Sequence, residues 1–313
     1  MAALLQLCAR AQSLQRLGLA RCALEPEAAC AMLLALQLNP AISSFELDAS
    51  ANPIGVLGAA MLAEALPRVT KLSGLWLDEA SRGPELAAEL GAAAADPPAS
   101  NRRQSGVSVG GSPPGAGGAA SAAPGLGTLI VAALCSEGLV GLSRLSLAAN
   151  PVPRPMELAL ALESLIVQRA GALHTLVLAG DAGRAALRLR GELPALLEVL
   201  AAAVEKAGGR RMRLLDVSHH QAGDGLVEAA LPLLRGPHAP RALLLHGNGL
   251  GVSALERLGD AMQSDECTTE TLVLAQEDVQ GALAAELAAK RPKEMAHRRL
   301  RAAVEKVKSR IQP

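Results

Sequence analysis

Residues 142–152, LSRLSLAANPV, put Leu142, Leu145, Leu147, Asn150 and Val152 at the spacing L-x-x-L-x-L-x-x-N-x-V. In an extended chain Leu145 and Leu147 turn to one side, while Arg144 and Ser146 turn to the other. The asparagine falls where the chain leaves the strand, so its amide can bond turn backbone groups that lack ladder partners. One such stretch is a weak signal, and its weight comes from how often it returns.

It returns along the whole chain. Leu14, Leu17, Leu19, Cys22 and Leu24 repeat the spacing with a cysteine at the asparagine position, and Leu243, Leu245, Asn248 and Leu250 repeat it after Pro240. Weaker copies are Leu72-Leu75-Leu77, Leu173-Leu176-Leu178, Met212-Leu215-Val217 and Thr269-Leu272-Leu274 with Val279. Near residue 45 two registers compete: Ile42-Phe45-Leu47 fits the strand, whereas Leu47-Ala49-Asn52-Ile54 fits the asparagine. The anchors are therefore 17, 45 or 47, 75, 145, 176, 215, 243 and 272, with most steps of 28 to 31 residues. Between them lie apolar segments at helical spacing, Val56 to Leu66, Met156 to Gln168, Leu196 to Lys206, Leu226 to Leu234 and Ala254 to Met262. Each unit reads as strand then helix, which predicts an α/β solenoid with parallel strands on a concave face and helices on a convex face.

Two steps are long. The 39 residues from 176 to 215 predict a longer strand-to-helix loop around Asp181 to Pro194. The 70 residues from 75 to 145 contain, at 92–127, a run of Ala, Gly, Ser and Pro with almost no large apolar side chain, which predicts a disordered insertion. Helical turns are expected before it, Glu85 to Leu90, and after it, Leu129 to Leu134. Inside it, Arg102-Arg103-Gln104-Ser105 resembles a basic-directed phosphorylation site, which makes Ser105 a candidate. The predicted organisation is a solenoid over 1–290 closed by a basic helix over 291–313.

Composition narrows the function. Half the 313 residues are hydrophobic, and 30 basic residues balance 30 acidic ones, so the chain is not of the disordered class and has no global pull toward nucleic acid. Trp76 and Phe45 are the only aromatics among Phe, Trp and Tyr, which argues against base stacking. Cys8, Cys22, Cys30, Cys135 and Cys267 are scattered, with no CxxC pair, and read as reduced and mostly buried in a cytoplasmic protein. Arg10, Arg16 and Arg21 without an acid in the first twenty-four residues faintly suggest a transit peptide, but the same residues carry a good repeat. No apolar run reaches the roughly 18 residues needed to span a bilayer.

No P-loop, dinucleotide loop or G-x-S-x-G elbow is present, so no catalytic residue and no cofactor are expected. Adjacent His219 and His220 would point to opposite faces of a strand, and His246 could approach one of them. A metal would need a third ligand that the sequence does not offer, so none is expected and these are read as surface or turn histidines. The expected binding surface is the outward face of the sheet, at Arg16, Trp76, Asp78, Arg144, Ser146, Asp216 and His246. The only Trp falls where the period predicts exposure, and Trp is enriched at binding hot spots. Trp76 either serves a protein partner or lies against neighbouring strands or under the insertion; both readings stay open.

From Lys290 to Pro313 nine basic residues face only Glu294 and Glu305, while Ala296, Leu300, Val304, Val307 and Ile311 recur at steps of three or four. That is an amphipathic helix, read as a cap over the open end of the solenoid; a membrane-surface or partner-binding helix is the less favoured reading.

The repeats resemble leucine-rich repeats of the ribonuclease-inhibitor type, a class that includes NLR receptors, the Ran GTPase-activating protein, tropomodulin and CARMIL-type actin regulators. The order LSRLSLAAN, LLDVSHH, LLLHGNGLG, a decayed TLVL strand and the closing AVEKVKSR helix is similar to the end of the CARMIL repeat domain. The resemblance implies a non-enzymatic protein-binding scaffold in actin cytoskeleton organisation. Arg291-Pro292-Lys293 matches only a fragment of that family's capping-protein motif, so this activity is not carried over. The alternative implied by the class is a Ran-type GTPase-activating protein or an NLR-like sensor; the former has an acidic tail, where this chain is basic. Ala2 to Ala11 reads as half a repeat, which leaves open a fragment of a longer protein or a truncated gene model.

Overall fold

The computed structural model describes residues 1–80, 125–136, 139–169, 171–184, 188–208 and 211–274. Strand and helix alternate throughout these residues: α1 (Ala2–Arg10), β1 (Arg16–Gly18), α2 (Pro26–Leu38), β2 (Phe45–Asp48), α3 (Gly55–Ala65), β3 (Leu72–Trp76), α4 (Leu126–Leu134) and β4 (Arg144–Ser146). They continue as α5 (Pro155–Gln168), β5 (Thr175–Val177), α6 (Leu193–Ala207), β6 (Leu214–Asp216), α7 (Gly225–Arg235), β7 (Ala242–Leu244), α8 (Val252–Gln263) and β8 (Thr271–Val273). The strands form one all-parallel sheet of eight in strict sequence order. Each consecutive pair of helices packs together, as it must when each crossover returns to the adjacent strand. The architecture is a solenoid-like α/β arrangement.

The periodic leucines make the core. Leu17, Leu47, Leu75, Leu145, Leu176, Leu215, Leu243 and Leu272 stand in one register across the sheet. None is more than 8% exposed. Each such side chain stabilises by roughly 1.5–3 kcal/mol on burial. The register settles the ambiguity near residue 45: Leu47 pairs with Leu17 and Leu75, so the Leu47-Ala49-Asn52-Ile54 reading holds. Ile42 and Phe45 are also buried, and the ladder shifts between Phe45 and Glu46, which is why both readings fit.

Three asparagines tie neighbouring units together. Asn52 donates through Nδ2 to Leu19 O (2.8 Å) and Ala49 O (2.9 Å), and its Oδ1 accepts from the amides of Cys22 (3.0 Å) and Leu24 (2.8 Å). Asn150 donates to Leu77 O and Leu147 O, and Asn248 to Val217 O and Leu245 O. All three are buried, so these bonds satisfy strand-end groups that water does not reach. Buried Asn39 does the same for the end of α1, donating to Cys8 O and Ala11 O. Arg169 caps carbonyls at and just after the end of α4, donating to Leu134 O and Ser136 O.

Several expectations are adjusted. Ala2–Arg10 is a helix against α2, the helical half of a unit. α4 begins at Leu126, so residues 126 and 127 belong to a packed helix and not to an insertion, because Leu126 is fully buried. The cysteines are all free, but only Cys8 is buried; Cys22 is exposed and the other three are intermediate. Glu85 to Leu90, Arg102, Arg103, Ser105, Val279 and the closing helix at 291–313 lie outside the described residues, as does most of the expected insertion. No helix among the described residues is long and apolar enough to cross a membrane.

Candidate functional site

Strand alternation sets two rows of side chains opposite the leucine core. One runs Arg16, Glu46, Gly74, Arg144, Thr175, Leu214, Ala242, Thr271, and the other runs Gly18, Asp48, Trp76, Ser146, Val177, Asp216, Leu244, Val273. The β1–β4 end is polar and charged, whereas the β5–β8 end is mostly small or apolar.

At the polar end the side chains interlock. The Arg16 guanidinium lies 4.6 Å from the centre of the Trp76 ring, a cation–π contact, and 3.8 Å from Asp48. Arg144 pairs with Glu46 at 2.5 Å. Trp76 is half-buried, and its ring lies over Gly74, where an added Cβ would stand 2.7 Å from it. A glycine in the row thus makes the space that the indole fills.

Asp78 follows Trp76 and accepts from the Ser146 hydroxyl (2.5 Å) and the Ala148 amide (2.8 Å). Burial pushes its carboxyl up, and the nearby Asp48 and Asp216 add to this, while the two hydrogen bonds pull it down. Ser146 is only 2% exposed, which corrects its expected place on the open surface: its hydroxyl is turned to Asp78 and fixes that carboxylate.

The expected site residues therefore divide. Arg16, Trp76, Asp78, Arg144 and Ser146 cluster over β1–β4, with Glu46 and Asp48 as members the sequence reading missed. Strand alternation in Phe45-Glu46-Leu47-Asp48 would have found both had the register been known. Asp216 lies three strands from Trp76 in the same row, roughly 14 Å away at sheet spacing, and accepts from the Ser218 amide. His246 lies further along the chain, where its ring meets His219 edge to face at 4.6 Å. Gly247, at φ +69°, leaves the space for His219; a Cβ there would come within 3.1 Å of its ring carbons.

His220 lies in the bend after β6, as the turn reading has it, but not at the surface. It is 2% exposed and occupies the asparagine position of its unit, five residues after Leu215. Its Nε2 donates to Leu178 O (2.7 Å), as the asparagine amides do to the preceding strand, and Nδ1 accepts from the Leu189 amide (3.1 Å). Burial depresses its pKa to about 4, with His219 and Arg188 acting in the same direction. Through Leu189 it anchors the long loop before α6.

Among the described residues no group of three or more His, Cys, Asp or Glu side chains is placed to hold a metal ion. Burial raises the thiols of Cys8, Cys30 and Cys135, which keeps them protonated. Comparison with known protein families and with curated proteins finds no match to this chain.

Proposed function

We propose that this chain is a leucine-rich-repeat horseshoe that works as a non-enzymatic protein-binding scaffold, with its partner held on the concave face over β1–β4. The observation that carries the reading is the Trp76 platform: a half-buried indole backed by Gly74, covered by Arg16 and flanked by the Arg144–Glu46 pair. Trp and Arg together are the side chains most enriched at binding hot spots, and rigid backing lowers the entropy lost when a partner docks. The strand-row register, the asparagine staples and the unit length support the repeat class. The similarity of the final units to the CARMIL repeat domain favours a role in actin cytoskeleton organisation, and the five free cysteines favour the cytoplasm.

The test is affinity capture from cells followed by quantitative mass spectrometry, comparing the intact protein with Trp76→Ala and with Leu57→Ala on the outer face of α3. The reading expects a specific set of proteins to be lost with Trp76→Ala and kept with Leu57→Ala. Equal capture by all three would sink it.

A further inference from the structure

At the edge of the sheet where strands β5 to β7 begin, His174, Arg211, Arg213 and Arg241 line an open pocket of about 370 Å³. The ladder places them side by side. The Arg213 amide donates to His174 O (2.7 Å), and the Ala242 amide donates to Arg213 O (3.0 Å), so each residue stands one strand from the next. Cationic side chains at adjacent ladder positions repel one another, and Arg213 and Arg241 are exposed, outside the packed core.

A single acidic group is shared between two of them and leaves the pocket net positive. Glu270 approaches Arg211 at 3.8 Å and Arg241 at 3.7 Å through the same oxygen, both beyond hydrogen-bonding distance. Arg213 is exposed and, among the described residues, has no acidic partner. Arg211 is instead held rigidly from behind, its guanidinium donating to Ala239 O at 2.9 Å and to Thr268 O. The pocket therefore has one guanidinium anchored to the backbone, two exposed ones and an imidazole, with three permanent positive charges against one negative.

We propose that this pocket binds a phosphate monoester carried on a side chain of the protein partner, an assignment that rests on the protein-binding reading above. A phosphate presents several acceptor oxygens to several guanidinium forks at once, which a single carboxylate cannot do. His174, Arg213 and Arg241 immediately precede Thr175, Leu214 and Ala242 of the first strand row, so a phosphorylated segment lying across the start of β5–β7 passes beside the pocket. A lipid surface is disfavoured because the large exposed apolar side chains, such as Leu38, Leu57 and Leu160, do not line the pocket and belong to helices.

The test uses phosphorus NMR on a glycine-flanked phosphoserine pentapeptide titrated with the full chain, with inorganic phosphate as competitor. The comparison protein carries Arg213→Gln and Arg241→Gln, both exposed positions, with its melting curve recorded; Arg211 is kept because its backbone bonds are structural. The expected result is a saturable shift, reversed by inorganic phosphate and weakened about tenfold or more in the variant at unchanged melting temperature. Equal binding by the variant, or no binding of the peptide, overturns the proposal. Binding of vesicles containing phosphatidylinositol 4-phosphate without binding of the peptide also overturns it, in favour of a membrane. Failure of the wider protein-binding reading shows separately, as unchanged capture by Trp76→Ala.

Discussion

His220 should make this protein acid-sensitive in a way that a single substitution removes. Folded, the ring is neutral: Nε2–H is committed to Leu178 O, and Nδ1 must stay unprotonated to accept from the Leu189 amide. Its folded pKa of about 4 compares with 6.5 for the free side chain. Above pH 6.5 neither state binds the proton and His220 contributes no pH dependence. As the pH falls below 6.5 the unfolded chain takes up a proton that the folded chain refuses until about pH 4, so stability is lost across that window. The linkage relation gives a loss of about 2 kcal/mol between pH 7 and pH 5, and about 3 kcal/mol by pH 4. Asparagine serves this position in other units, so His220→Asn should keep the bond to Leu178 O. It would lose the acceptor for Leu189, at a cost of about 1–3 kcal/mol at pH 7. Urea unfolding of both proteins at pH 7 and pH 5 separates these effects, because background carboxylates titrate alike in each. The wild type should fall by about 2 kcal/mol more than His220→Asn over this interval. Parallel losses in the two proteins would refute the argument.

Other consequences of the geometry are open to the same kind of measurement. Asn52→Ala leaves two amides and two carbonyls without their partner and should cost at least about 2 kcal/mol in urea unfolding, far more than removing any exposed polar side chain. Arg144→Ala breaks an ion pair whose arginine is exposed and should change stability by no more than about 1 kcal/mol; a larger loss would show that the pair supports the sheet. Gly74→Ala should displace the indole, seen as a red shift and greater iodide quenching of Trp76 fluorescence, and an unchanged spectrum would mean that the ring does not rest there. Maleimide should label exposed Cys22 well before Cys8, whose thiol is buried and raised.

The fold was legible because it is written in one dimension. A repeat array needs only the spacing within a unit and the recurrence of units, and Leu145-Ser146-Leu147 already states which side chains face the core. The register near Phe45 was not legible, since an irregular ladder buries Ile42, Phe45 and Leu47 together and burial alone cannot rank them. The site was half legible. Periodicity placed Arg16, Trp76 and Arg144 on the outward face, but it says nothing about which outward side chains turn inward to bond one another, as Ser146 does with Asp78. His220 was missed for a related reason: its role belongs to a position in the unit and not to its residue type, and the register of Leu215 against Leu243 reveals it. The arginine pocket needs Arg211, Arg213 and Arg241 to meet across strands separated by a whole helix, which the sequence does not display as a cluster.

Site-specific photo-crosslinking tests the binding-face account most directly. Gly18 is exposed beside Arg16 in the strand rows, with nothing within 4 Å of an added Cβ, so a photoreactive residue fits there without disturbing the fold. Leu57, 73% exposed on α3, provides the opposite face. Irradiation in cells should yield discrete protein adducts from position 18 that disappear when Trp76→Ala is added, and none of those adducts from position 57. Adducts formed from position 57 and not from position 18 would place the partner on the helices and contradict the account.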